Sequence, residues 1–197
     1  LPISAAIRDT LVAAYGYPPE YFLPPCINEN RYRPREAAEV APIYEFLAGH
    51  CALGAEEIKR RKLITEISRT DTTKRKDVLL RAFAAAKRQV PDALLAVTID
   101  PSAGELHASL QGLIDELGLR DDVIVLGSVW NELPLIYNAA SIYCTPSVME
   151  GFGMTAQEAA ATGKPVVSSD LVPFAVEYLA GPSARPVVFG TDGDRRT

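Results

Sequence analysis

Residues 146–158 read Pro-Ser-Val-Met-Glu-Gly-Phe-Gly-Met-Thr-Ala-Gln-Glu, a strand end, a glycine-containing turn and the start of a helix. Just upstream, Ser141–Cys144 is a short apolar run of strand character. Downstream, a helix from Met154 to Thr162 meets Gly163, placed for a left-handed cap, with Pro165 shortly beyond. Pro165–Ser168 then opens another short apolar run. Strand, crossover helix and strand in this order form the unit of a parallel sheet.

The same rhythm extends in both directions. Further strand-like runs stand at Leu63–Ser68, Leu94–Ile99, Val123–Leu126 and Pro186–Phe189. Between them lie helical patterns, carried first by Val78, Leu79, Ala82, Phe83 and Ala86, next by Leu106, Leu110, Leu113, Ile114 and Leu117, then by Leu133, Ile136, Tyr137 and Ala140. This alternation predicts an α/β fold, a doubly wound parallel sheet of the Rossmann type. Residues 1–62 are read as a helical and irregular lead-in of the same domain, whose core occupies 63–197. Within the lead-in, Ser4 caps a helix that Gly16 stops, prolines punctuate residues 18–25, and a helix over Arg35–Cys51 is weakened by Pro42.

Composition excludes several classes. With 197 residues, 48% hydrophobic and 23% charged, the chain has the balance of one globular domain with a buried core, not of a disordered or low-complexity protein. Its net charge is −5, and residues 101–197 carry 5 basic against 12 acidic side chains, so long-range attraction to nucleic acid is not expected. The basic run Lys59–Lys62 reads as a solvated helix end. Leu133–Met149, the longest uncharged run, is too short and too often interrupted by polar residues to span a membrane. Cys26, Cys51 and Cys144 show no C-x-x-C spacing and read as reduced thiols in a cytoplasmic setting. The chain begins with leucine and lacks a signal-peptide pattern, and it reads as a piece of a longer polypeptide.

Doubly wound sheets bind ligands outside the carboxyl ends of their strands, which directs attention to the loops after Ser68, Ile99, Leu126, Cys144 and Ser168. In the loop after Cys144, Gly151 and Gly153 permit a tight turn and close approach of the backbone to a ligand. The unpaired amides and partial positive charge of the helix that follows favour a phosphate near Met154 and Thr155. Glu150 and Glu158 flank this turn as hydroxyl acceptors, pointing to a ligand with both phosphate and sugar. A second phosphate-like element, Ser68-Arg69-Thr70-Asp71-Thr72-Thr73-Lys74, brings Arg69 and Lys74 to the same sheet edge, completing a diphosphate cradle. Arg75 and Lys76 read as solvated charges. Neither G-x-G-x-x-G nor G-x-x-x-x-G-K-[ST] occurs at a strand end, and His50 and His107 are too far apart to read as a metal pair, so no metal or cofactor site is assigned.

These residues resemble the retaining glycosyltransferases of the GT-B fold, specifically family 4, which includes sucrose-phosphate-synthase-like enzymes. The resemblance rests on Ser68-Arg69 with Lys74, on Val125-Leu126-Gly127-Ser128-Val129, and on Glu150 through Glu158 followed by Ala159 to Val167, which has the family's Glu-x7-Glu form. It implies the donor-binding C-terminal half of such an enzyme, with a UDP-, GDP- or ADP-hexose as substrate and no cofactor. By the same resemblance, Arg69 and Lys74 bind the diphosphate, Glu158 holds the ribose, Val129 lines the base pocket, and Met154 and Thr155 offer amides to phosphate. Glu150 and the backbone of Gly151, Phe152 and Gly153 meet the transferred sugar. Transfer would retain configuration without a metal, the leaving phosphate taking the acceptor's proton. Cys26 stands where a glycine is usual, and the glycine pair usual near Asp170-Leu171-Val172-Pro173 is absent. The family's N-terminal acceptor domain and closing helix are missing, so the isolated chain is expected to bind donor weakly and transfer nothing. Two rival readings are a non-catalytic nucleotide-sugar-binding or regulatory module, and a glycosidase using Glu150 and Glu158 as its two carboxylates.

Overall fold

A computed structural model of the chain describes residues 1–16 and 18–179, so the strand expected at Pro186–Phe189 lies outside the described residues. Five strands form one sheet: β1 (Lys62–Glu66), β2 (Ala93–Thr98), β3 (Val123–Leu126), β4 (Ile142–Thr145) and β5 (Val166–Ser168). All described pairings are parallel, in the order β3-β2-β1-β4-β5. Each coincides with an expected apolar run to within two residues at either end. All six residues of β2 are buried, as befits a central parallel strand covered on both faces.

Alternation along β2 divides the core. Leu94 and Ala96 belong to one apolar cluster with Ile124, Leu126, Ile136 and Tyr137, whereas Ala93, Leu95 and Val97 belong to a second. The second is closed by helices over Lys76–Lys87 and Glu105–Glu116, through Leu79, Leu80, Phe83, Leu110, Leu113 and Ile114. The first is closed by helices over Leu133–Ala139 and Met154–Ala161 and by the lead-in, whose Val40, Ile43, Leu47 and Ile58 pack with Leu63.

The lead-in is more helical than its prolines suggest. In chain order its helices are α1 (Ala5–Tyr15), α2 (Ala37–Val40), α3 (Pro42–Ala48) and α4 (Ala55–Arg60), and those closing the sheet become α5 (Lys76–Lys87), α6 (Glu105–Glu116), α7 (Leu133–Ala139) and α8 (Met154–Ala161). The single helix expected over Arg35–Cys51 is instead two, because Pro42 occupies the first position of a new helix, where a missing amide costs nothing. Ser4 caps α1 and Gly16 ends it at φ 68°, as its sequence indicates.

The chain moves outward from β1 through β2 to β3, then returns to lay β4 on the other side of β1. This reversal leaves a crevice at the carboxyl ends of β1 and β4, between the loop after Glu66 and the loop after Thr145.

Candidate active site at the strand rim

The loop after β1 is shaped by Asp71, whose carboxylate accepts from the Thr73 amide at 2.9 Å and opens a short 3-10 turn over Thr72–Lys74. The loop after β4 is stitched onto this turn. The Val148 amide donates to the Thr73 carbonyl at 2.8 Å, and the Ser147 hydroxyl donates to the same oxygen at 3.2 Å. Lys74 is thereby turned inward, and its Nζ lies 2.5 Å from Glu150 Oε1 with both side chains largely buried. The two rim elements read from the sequence therefore meet, through hydrogen bonds to the Thr73 carbonyl and through the Lys74–Glu150 ion pair. An ammonium has three donors, so Lys74 can hold Glu150 and still offer hydrogens to an arriving anion. Arg69 stands outside this pair: its side chain is 86% exposed, with the guanidinium 3.7 Å from Asp71.

Lys76 corrects the sequence reading. It is not solvated but sealed beneath the rim, paired with the equally buried Glu66 and bonded to Ser68 Oγ at 3.1 Å and Thr98 Oγ1 at 3.2 Å. The Glu66 Oε1 atom is buried without a hydrogen-bond partner. Arg75 keeps to the surface with Asp77, at 3.1 Å.

The glycine turn is held from three sides. The Ser4 hydroxyl donates to the Gly151 carbonyl at 2.7 Å, and a Cβ on Gly151 would lie 3.4 Å from Ile3 Cδ1, so the start of α1 rests against the turn. Phe152 turns its ring into the core, 5.7 Å from the rings of Phe174 and Tyr178, while its carbonyl accepts from the Phe174 amide at 2.7 Å. Gly153 has φ 101°, and a Cβ there would fall 2.5 Å from Val172 Cγ1. Only glycine fits. In α8 the Gln157 amide bonds back to the Gly153 carbonyl at 3.1 Å, leaving the amides of Met154, Thr155 and Ala156 to head the helix. The Met154 side chain is exposed, and the Thr155 hydroxyl accepts from the Tyr143 phenol at 2.7 Å.

Glu158 occupies different surroundings. The Tyr137 phenol donates to its Oε2 at 3.3 Å, and burial raises its pKa, while hydrogen bonds from Tyr32 and Tyr137 and the Arg31 charge pull it back. Arg31 lies over the rings of Tyr32 and Trp130 and donates from Nη2 to the Trp130 carbonyl. Val129, beside Trp130, is half-buried against the core. Ser4, Arg31, Tyr32 and Tyr137 touch these candidate residues through tertiary contact rather than local spacing, so motif reading misses them. Among the described residues, no group of three or more His, Cys, Asp and Glu side chains gathers as a metal site requires, and no helix is long and apolar enough to cross a membrane.

A family model described as glycosyl transferases group 1 matches residues 54–183. The D-inositol 3-phosphate glycosyltransferase of Mycobacterium sp. strain KMS is 37% identical over 125 residues, 62% of this chain and 27% of that protein. The mannosylfructose-phosphate synthase of Agrobacterium fabrum is 31% identical over 167 residues, 81% of this chain and 35% of its own length. The chain spans between a quarter and a half of the length of the curated relatives it matches. Among solved structures, Anabaena HepE in complex with UDP-glucose superposes with a TM-score of 0.74 at 22% identity, covering 87% of this chain and 44% of that one. Sucrose-phosphate synthase from Thermosynechococcus elongatus gives 0.70 at 23% identity, covering 91% and 42%. At these identities the structures establish a shared fold, that of the GT-B glycosyltransferases.

Proposed function

The chain belongs to the glycosyl transferases group 1 family, and from that membership we propose that it is the donor-binding domain of a retaining, metal-independent glycosyltransferase that moves a hexose from a nucleoside-diphosphate sugar to an acceptor. The observation that carries the reading is the largely buried Lys74–Glu150 contact, which joins a cation from the loop after β1 to a carboxylate in the loop after β4 that leads into α8. Lys74, exposed Arg69 and the leading amides of α8 offset the charge that builds on the departing diphosphate, the work a divalent cation does elsewhere. Glu158 accepts from the ribose hydroxyls and Val129 borders the base. Glu150 and the backbone of Gly151, Phe152 and Gly153 orient the hexose. As the bond from the anomeric carbon to phosphate breaks, the acceptor oxygen bonds to that carbon on the same face and its proton passes to the leaving phosphate. An N-terminal domain binding the acceptor completes the cleft. The free Cys26, Cys51 and Cys144 fit work in the reducing cytoplasm.

Titration calorimetry with UDP, GDP, ADP and their sugars tests this. Lys74→Ala is expected to weaken nucleoside-diphosphate binding by about 1.5–3 kcal/mol, the scale of a hydrogen bond to a charged group, and to spare the bare nucleoside. Glu158→Ala is expected to weaken both. Wild-type affinity in Lys74→Ala and in Arg69→Ala alike would remove the phosphate role.

A further inference from the structure

The rim carries an aromatic surface that the phosphate and hexose contacts leave unused. Trp130 follows β3 in the loop at its carboxyl end, and its side chain is 70% exposed. A large ring left in water is ordinarily free to swing, but this one is braced. The Arg31 guanidinium lies over one face of the indole, 5.2 Å from its centroid, and its Nη2 donates to the carbonyl of Trp130 itself. The same guanidinium lies 5.5 Å from the centroid of Tyr32, whose phenol bonds to Glu158. Arg31 Nε is buried with no hydrogen-bond partner, so the guanidinium is seated by the two rings and the Trp130 carbonyl. Indole, guanidinium, phenol and carboxylate thus form one connected series from the open edge of the site to Glu158.

Cation–π contact fixes a ring on one face and leaves the other for a planar partner. We propose that Trp130, braced by Arg31, is the platform on which the nucleobase of the donor stacks. This inference rests on the nucleotide-sugar reading and names the residue that gives the base its share of affinity. Stacking accepts any base because each has a π-face, so the platform contributes affinity for UDP, GDP and ADP alike. Arg31 acts as a positioning residue, holding the indole by one face and by the Trp130 carbonyl.

Trp130 is the sole tryptophan of the chain, so its fluorescence reports this place alone. With the unaltered chain, UDP, GDP and ADP should each quench the emission, whereas ribose 5-phosphate and pyrophosphate should not. By calorimetry, Trp130→Ala should weaken UDP binding about tenfold and leave pyrophosphate binding as it was, and Trp130→Phe should recover most of the loss. Arg31→Met should reduce the quenching by UDP. UDP that binds by heat without quenching, or that binds Trp130→Ala as tightly as the unaltered chain, overturns the platform while the donor-binding reading stands. Absence of any heat with all three nucleotides overturns both.

Discussion

Glu150 and Glu158 stand eight positions apart, yet each has its own electrostatic task. Glu150 is matched by an ammonium at 2.5 Å, whereas Glu158 sits among phenols and is shifted above the ordinary carboxylate value of 4.5, chiefly by burial. A carboxyl that binds its proton more tightly when folded favours folding below its unfolded value, and that contribution is lost as pH rises through the folded value. Glu158→Gln should therefore melt above the wild type at neutral pH, with the gap closing toward pH 4 in scanning calorimetry. A lower melting temperature at neutral pH would mean that Arg31 and the two phenols outweigh the burial. The glycine turn, its two carboxylates and Lys74 each have a local signature in the sequence, whereas the convergence of Arg69 with Lys74 read there is not what the side chains show, since Arg69 is largely exposed beside Asp71. Lys76 has no such signature, since a lysine inside a Lys-Arg-Lys run looks solvated until β1 and β2 supply Glu66 and Thr98 to bury it.

The elements that present these residues differ in how firmly they are seated. α8 begins where the backbone takes φ 101° at Gly153 against Val172, so Gly153→Ala should cost about 1–3 kcal/mol from crowding, before any backbone penalty, in urea unfolding. By contrast α1 buries none of its own residues and is held at its start, where Ser4 caps the Ile7 amide at 3.3 Å and reaches Gly151, and the Ala5 amide donates to Glu177 at 3.0 Å. Ser4→Ala should free this helix by about 0.5–2 kcal/mol, seen as faster amide exchange over residues 5–15 with the exchange of β2 unchanged. Equal protection in both proteins would show that Ile3 and Ile7 alone seat it. Ser4 and Gly16 marked the ends of α1 in the sequence, but nothing local said where the helix would lie, because its anchors come from residues far along the chain.

At the scale of the molecule, the reversal of strand order between β1 and β4 brings the two rim loops together; the alternation of apolar runs foretold a doubly wound parallel sheet but not where its order reverses. The order of strands is a property of crossovers, to which any one run contributes little. Cys144, on β4 between the second cluster and buried Glu66, has its thiol pushed up to about 12 by burial and by that carboxylate. Native chain treated with a thiol reagent at neutral pH should label exposed Cys26 first, and Cys144 only at the rate of global opening. Prompt labelling of Cys144 would mean that β4 opens on its own. The grip of Ser4 on Gly151 spans 147 positions, and its consequence is one of timing. A segment made early on the ribosome must wait for one made much later before it finds its seat, so closure of so long a loop comes late in folding. The glycine turn should then be among the last features to set, and nascent chains arrested before it emerges should leave the early helix open to proteases.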